Sequence, residues 1–422
     1  MAHKGQDCIL NSICELIIDC EHKTAPYQEE GYPSIRTPNI GRGRLILGGV
    51  NRVSEETYKL WTQRATPRSG DLILAREAPV GNVAVIPKNL QVCLGQRTVL
   101  IRPDRSKVDP NFLVYLLLGD EVQGKIHSLS GGATVAHLNM GEIRKLKLPH
   151  LPPLSIQQKI AAILSAYDDL IENNTRRIKI LEEMAQAIYR EWFVHFRFPG
   201  HEGVRMVDSE LELVPEGWEI VKVSKICEKI TSGGTPSTKI EKFWNGDIPW
   251  LSSGETRNHF ILATDNTITP EGVANSSTRF IEAGTTIVAS AGQGHTRGQT
   301  SFMMIDSYIN QSIVALIANQ QIISNLFLYF EISLRYDELR NLSDSNSSRG
   351  SLTTRLLGDL DVIVPPKHLI DDFDKIASNI VNSIAIRLLQ NSNLRRTRDL
   401  LLPKLISGEI DVSALDIKIP AT

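Results

Sequence analysis

No run of roughly 18 uninterrupted apolar residues occurs anywhere in the chain, so a membrane-spanning helix is not expected. Cysteine is scarce: five in 422 residues, none in Cys-x-x-Cys spacing. That excludes a disulfide framework and the common zinc motifs. Cys8, Cys14 and Cys20 recur every six residues, a spacing that matches no common zinc pattern. The odd count fits reduced thiols in a cytoplasm, and Met1-Ala2-His3-Lys4 does not open a signal peptide. The ten histidines show no ligand spacing. Charge is nearly balanced, 46 Lys and Arg against 48 Asp and Glu, so only a local basic patch could mark a polyanion partner. No Gly-x-x-x-x-Gly-Lys-Ser/Thr loop is present; the stretch from Gly292 to Gly298 lacks both its spacing and its lysine. It reads either as a loop that approaches a polyanion closely or as a tight strand connection.

What is present is ordinary globular composition, 41% hydrophobic and 22% charged, organised around two long helical patterns. The first follows Pro152-Pro153. Ser155 and Gln158 form a capping box, and Ile156, Ile160, Ile163, Tyr167, Leu170, Asn174, Arg177, Leu181, Met184, Ile188 and Trp192 follow in steps of three and four. No Gly or Pro interrupts the pattern before Pro199-Gly200. At about 1.5 Å per residue, some 40 residues make a rod of roughly 60 Å, and its narrow seam requires a partner helix. The second pattern follows Pro365-Pro366. Leu369, Phe373, Ile376, Ile380, Ile384, Leu388, Asn391, Leu394 and Leu401 repeat at coiled-coil spacing, with Pro403 as the expected end. Each seam carries one central asparagine, Asn174 or Asn391, a residue that costs stability and fixes register.

Before the first helix, Leu45-Ile46-Leu47, Asp71 to Ala75, Val83 to Ile86 and Thr98 to Ile101 read as strands, and Asn111 to Leu118 as a helix continuing towards Ile126. Arg36, Arg42, Arg44, Arg52, Lys59, Arg64, Arg68 and Arg76 form a basic stretch with Tyr32, Tyr58 and Trp61 interleaved. Such a surface suits phosphates and base edges; a solvated, partly paired surface is the alternative.

The segment 201–364 reads as a divergent copy of the first. Gly31 to Ile35 corresponds to Gly246 to Trp250, Gly70 to Ala75 matches Gly284 to Ala289, Gly95-Gln96-Arg97 matches Asn310-Gln311-Ser312, and Gly141-Glu142-Ile143 matches Gly358-Asp359-Leu360. The offset stays near 215 residues, about half the chain, in constant order. The copies differ most in their loops, around Gly131 to His137 and Ser347 to Thr353.

In this plan the chain resembles the specificity (S) subunits of type I restriction–modification systems. The resemblance rests on Pro152-Pro153-Leu154-Ser155-Ile156-Gln157-Gln158-Lys159-Ile160, Asn173-Asn174-Thr175, Trp192-Phe193 and Pro215-Glu216-Gly217-Trp218. It also rests on Gly233-Gly234-Thr235-Pro236-Ser237, Ile248-Pro249-Trp250-Leu251 and the tail from Leu401 to Ile410. The first helix has Gln157-Gln158 where that family often has an acidic residue before Gln, and Leu369-Ile370-Asp371-Asp372 loses the Gln.

The resemblance implies an α+β protein: two similar mixed α/β target-recognition domains separated by two long helices packed as an antiparallel coiled coil, in a pseudo-two-fold internal repeat. The expected bounds are 1–151 and 201–364 for the domains, with 152–200 and 365–422 for the helices. Each domain would read one half of an interrupted DNA target. The helices would set the gap and dock two methyltransferase subunits, with restriction–translocase subunits joining them. S-adenosylmethionine, ATP and Mg would belong to those partners, and this chain would hold no catalytic centre, metal or cofactor. Asp109-Pro110-Asn111-Phe112 lacks the second proline of the amino-methyltransferase motif and reads as a helix start, while Asp168-Asp169 and Asp371-Asp372 read as solvated faces or partner contacts.

The expected DNA contacts are Arg36, Arg42, Arg44, Arg64, Arg68, Thr134 and His137 in the first domain. In the second they are Lys239, Arg257, Arg279, His295, Arg297, Ser348 and Arg349. The alternatives are a subunit of a methylation-only or fused restriction–methylation system, or a coiled-coil scaffold that does not bind DNA.

Overall fold

The computed structural model describes residues 8–131, 136–209, 213–292, 295–346 and 350–419. The chain forms two units: Met1–Ile171 together with Asn393–Thr422, and Glu172–Ser392.

In the first unit the run of β-branched and leucine residues at 72–75 is too apolar for a sheet edge and occupies its centre. Among the described residues the strand order is Cys14–Asp19, Thr98–Pro103, Leu72–Ala75, Val83–Val85 and Gly43–Arg44. All pairs are antiparallel except the last. A smaller sheet places Tyr32–Ile35 between Arg52–Val53 and Cys93–Leu94, antiparallel to the former and parallel to the latter. Asp109 caps the helix Pro110–Leu118 by accepting from Phe112 N–H at 2.9 Å, with Pro110 at the first position, as expected. Gly119 breaks the expected continuation, and a separate helix covers Asp120–Leu129.

The second unit repeats the five-stranded order and the core of the smaller sheet, to which Arg279–Ile281 adds a fourth strand antiparallel to Ser307–Ile309. Its large sheet runs Cys227–Ser232, Ile313–Ala318, Thr286–Ala289, Thr300–Met303 and Phe260–Ile261, again with only the last pair parallel. In its smaller sheet, Trp244–Leu251 lies antiparallel to Asn266–Ile268 and parallel to Ser307–Ile309. The helix Asn325–Ser333 corresponds to Pro110–Leu118. A Cβ on Gly233 would stand 1.9 Å from the Ile309 carbonyl, and one on Gly234 2.1 Å from Ser277 Oγ. Only glycine allows this approach, which lets Trp250 Nε1–H donate to the Gly234 carbonyl at 3.2 Å.

Two long helices, Leu154–Tyr189 and Lys367–Ile406, contribute to both units. Within the second unit they run antiparallel: Asn174 Nδ2 donates to Asn391 Oδ1 at 3.1 Å, while Tyr189 packs on Phe373 with centroids 5.6 Å apart. The helix ends differ from expectation. The first helix begins at Leu154, so Ser155 lies inside it and is not the cap. Gln157, fully buried, instead ties the helix to its domain, accepting from Asp109 N–H at 2.9 Å and donating to the Pro152 and Lys107 carbonyls. Before Pro199 the helix opens into a π turn, Arg190–Val194. The second helix passes through Pro403 and ends at Ile406.

The seam is also wider than the sequence suggests. Leu170 and Met184 are about half exposed, whereas Leu164, Asp168, Ile178, Ala185 and Tyr189 are buried. The helix buries one stripe against its domains as well as one along its partner, and the spacing rule registered only the second. Ile46 and Leu47, expected in a strand, are exposed; the pairing there falls at Gly43–Arg44.

Candidate nucleic-acid interface

The basic stretch of the first unit divides by partner. Arg76, 5% exposed, is structural: it pairs with Asp19 at 2.5 Å and donates to the Leu138 carbonyl at 3.0 Å. Arg44 is drawn onto the first long helix by Asp169 at 2.5 Å, and Arg42 donates to the Leu118 carbonyl at 3.2 Å. Arg64 pairs with Glu21 at 3.2 Å yet keeps 56% of its side chain exposed. Arg36 and Arg68 are exposed, their backbone N–H groups held by Asn39 and Asp71. These two, with Arg64, best keep the open guanidinium that phosphate or base contact needs.

His137 stands in an ionic cluster. Its Nδ1 lies 2.7 Å from Glu77 and its Nε2 2.8 Å from Arg76. Glu77 also pairs with Arg97 at 2.9 Å, and Asp19 with His22 at 2.9 Å. Arg97 and His22 drew no notice in the sequence as members of such a cluster, although Gly95-Gln96-Arg97 marked an anchor of the repeat. Thr134 lies outside the described residues.

In the second unit Lys239 and Arg279 are exposed, Arg279 on the strand Arg279–Ile281 beside a half-exposed Phe280. Arg257 and His295 meet in a cleft of about 340 Å³ with Thr256, His259, Gln299 and Tyr336. A neighbouring cleft of about 420 Å³ is lined by Arg257, His259 and Glu182. His259 gave no signal in the sequence. Its imidazole lies 3.3 Å from Glu182 of the first long helix, whose carboxylate raises it above the usual histidine range. Arg297 corrects an expectation: only 12% of its side chain is exposed, and it is bound by Asp344 and the Gly350 carbonyl. Its position two residues after His295 hid this, because the pairing is with a helix some fifty residues on. Ser348 and Arg349 lie outside the described residues.

Asp168, expected at a solvated face or a partner contact, is 6% exposed; it accepts from Tyr115 Oη at 2.6 Å and pairs with Arg398 at 2.5 Å. Asp169, Asp371 and Asp372 are exposed. Asp19, Cys20 and His22 bring three donor atoms within 4.8 Å of one another, a grouping the sequence did not reveal. The Arg76 guanidinium on Asp19 opposes a cation there. Burial pushes the Cys14 and Cys227 thiols up to about 12 and Cys93 to about 11, which disfavours their thiolates; Cys93 and Cys227 are buried and Cys14 partly so.

Two copies of one frame, each with its own polar loop cluster, match a known family model. The model for the type I restriction modification DNA specificity domain aligns twice, with residues 9–183 and 215–384. The chain belongs to this type I DNA specificity family. It is 24% identical over 375 residues to the type I restriction enzyme MjaIX specificity subunit of Methanocaldococcus jannaschii, covering 88% of this chain and 84% of that one. It is 26% identical over 404 residues to the HindI specificity subunit of Haemophilus influenzae, covering 81% and 87%. The fold matches the crystal structure of a type I restriction–modification S subunit from M. genitalium with TM-score 0.59, at 17% identity over 95% of this chain and 96% of that one. The specificity-family fold is thus α+β with two tandem domains. No helix among the described residues is long and apolar enough to cross a membrane.

Proposed function

We propose that this chain is the DNA-recognition subunit of a type I restriction–modification complex and carries no catalytic centre itself. Each domain reads one half of a bipartite duplex target, and the paired long helices set the unread gap. The observation that carries this reading is one strand order used twice with different side chains at the loop ends. Two readers of one architecture and different chemistry give an asymmetric target. Exposed Arg36, Arg64, Arg68, Lys239, Arg257 and Arg279 supply phosphate and base contacts, and His295 joins Arg257 in the cleft.

The long helices also dock two methyltransferase subunits, which hold S-adenosylmethionine and methylate adenine. Restriction–translocase subunits bring ATP and Mg, and the complex works in the cytoplasm. The test is a map of methylated adenines in cells that make this chain with its neighbouring methyltransferase subunit. A bipartite motif with a fixed gap, absent without this chain, is expected. A continuous motif would assign reading to one domain only. No new methylation, with both proteins soluble and bound together, would favour a scaffold that does not bind DNA.

A further inference from the structure

The backbone frame at one loop end is the same in both units, hydrogen bond for hydrogen bond. Arg76 N–H donates to the Arg97 carbonyl at 2.9 Å, and Ser290 N–H to the Ser312 carbonyl at 2.8 Å. Leu138 N–H donates to the Arg76 carbonyl at 3.1 Å, and Leu352 N–H to the Ser290 carbonyl at 2.9 Å. Ala75 N–H reaches the Asn82 carbonyl at 2.8 Å, and Ala289 N–H the Gln299 carbonyl at 2.9 Å. Sheet register places Asp19 opposite Val99, and Ser232 opposite Val314. These bonds equate positions across the repeat without reference to side chains.

The side chains at the equated positions differ in kind. Asp19, Arg76, Glu77 and Arg97 of the first unit stand where the second has Ser232, Ser290, Ala291 and Ser312. His137, one residue before Leu138, is replaced by Ser351. Gln96 and Gln311 are common to both: Gln96 donates to the His22 carbonyl at 3.4 Å, and Gln311 accepts from the Thr235 hydroxyl. A frame kept only for folding does not need an ionic cluster in one copy and hydroxyls in the other. A frame that presents different hydrogen-bonding groups to different partners does.

Arg97 is the outward element of the charged copy. Its φ is +66°, a left-handed conformation that costs a non-glycine residue energy and concentrates at functional sites. Gly95 before it has room for no side chain, since a Cβ would approach Arg36 Cγ to 2.5 Å. Glu77 takes Arg97 at Nε, yet 56% of the side chain stays exposed. A guanidinium paired at Nε and this exposed is the group that can read guanine O6 and N7 through paired hydrogen bonds.

We propose that the Gln96-Arg97 turn of the first unit and the Gln311-Ser312 turn of the second are the base-reading positions of the two domains. Arg97 reads a guanine edge, and Gln311 reads an adenine or another amide-matched edge. This rests on the DNA-recognition reading above. Arg36 is the adjoining backbone contact, and Glu77 and His137 are positioning residues.

The experiment maps methylated adenines for the parent chain, Arg97→Ala, Arg97→Lys and Gln311→Ala, each with the same methyltransferase partner. Arg97→Ala is expected to lower discrimination at one base position of one half-site by about ten- to a hundredfold, leaving the other half-site unchanged. Gln311→Ala is expected to relax a position in the other half-site alone. Arg97→Lys keeps the charge and loses the fork, so it relaxes the same position and serves if the alanine variant is insoluble. An unchanged motif in all variants overturns the proposal, as does a uniform fall in methylation at every sequence, which is the mark of a phosphate contact. If the parent itself yields no bipartite motif, the recognition reading fails first, and the base-reading assignment falls with it.

Discussion

In the unit built from the two chain segments, the first long helix adds a buried acid to the apolar contacts of Ile160, Ala161 and Leu164. Asp168 joins Tyr115 and Arg398, and Arg398 also reaches Asp399 at 2.8 Å. In the continuous unit the same helix ends in aromatics: Tyr189 contacts Phe193, Phe327, Phe330 and Phe373, with Trp192 and Trp218 around them. The Tyr189 hydroxyl in that cluster donates to Glu331 at 2.5 Å. One strand order thus tolerates opposite chemistries at its helix. The aromatic version draws on buried area, about 1.5–3 kcal/mol for each fully covered side chain. The ionic version gains little net stability over an apolar replacement, but it punishes loss of either partner.

The comparison breaks most sharply at Phe373, which is fully buried among four aromatic neighbours. Phe373→Ala should cost about 3–5 kcal/mol, measured by denaturant unfolding with tryptophan fluorescence. A loss under about 1 kcal/mol would mean the cluster collapses around the gap. Next comes the acid. Asp168→Asn should cost about 2 kcal/mol, because Asp399 remains to Arg398. Replacing the whole set at once, Tyr115→Phe with Asp168→Leu and Arg398→Met, should return stability to within about 1 kcal/mol of the parent or above it. A triple variant less stable than Asp168→Asn would show that the ionic set is a net stabiliser.

The smallest effect concerns His259 and Glu182. Hydrogen bonding to Glu182 raises His259 above its unfolded value, with desolvation opposing. The pair's contribution is therefore full below the ordinary histidine range and lost as pH rises through the raised value. Because the imidazole is half exposed, the stability gap between parent and Glu182→Gln should be only about 0.5 kcal/mol in acid, closing as pH increases. A gap that widens with pH would invert the assignment.

Much of the architecture was legible. The Pro-Pro starts, the mid-seam asparagines and the repeat all reflect local rules or constant spacing, and Asn174 does meet Asn391. Helix ends were less legible. The glutamine next to the expected capping box ties the helix to its domain rather than capping it, as Gln157 does through Asp109, and tertiary packing can carry a helix through Pro403. The site was the least legible. Basic residue types point to DNA in aggregate, but whether an arginine is free depends on acids far along the chain: Asp169 for Arg44, Asp344 for Arg297. Arg97 escaped notice because its merit is a backbone conformation and a glutamate seat, neither of which residue type reveals.

The composition of the first unit bears on how the chain is made. Leu405 and Val412, both nearly fully buried, belong to the same core as Leu72, Phe112 and Leu164. Lys159 donates to the Val412 carbonyl, 253 positions later. A ribosome adding about 5–20 residues per second therefore leaves this core open for roughly 20–80 seconds between its first strand, Cys14–Asp19, and Val412. The continuous unit, Glu172–Ser392, closes before it. The domain translated first is the one completed last, and during that interval its exposed apolar strands depend on the solubility of the nascent chain or on a chaperone.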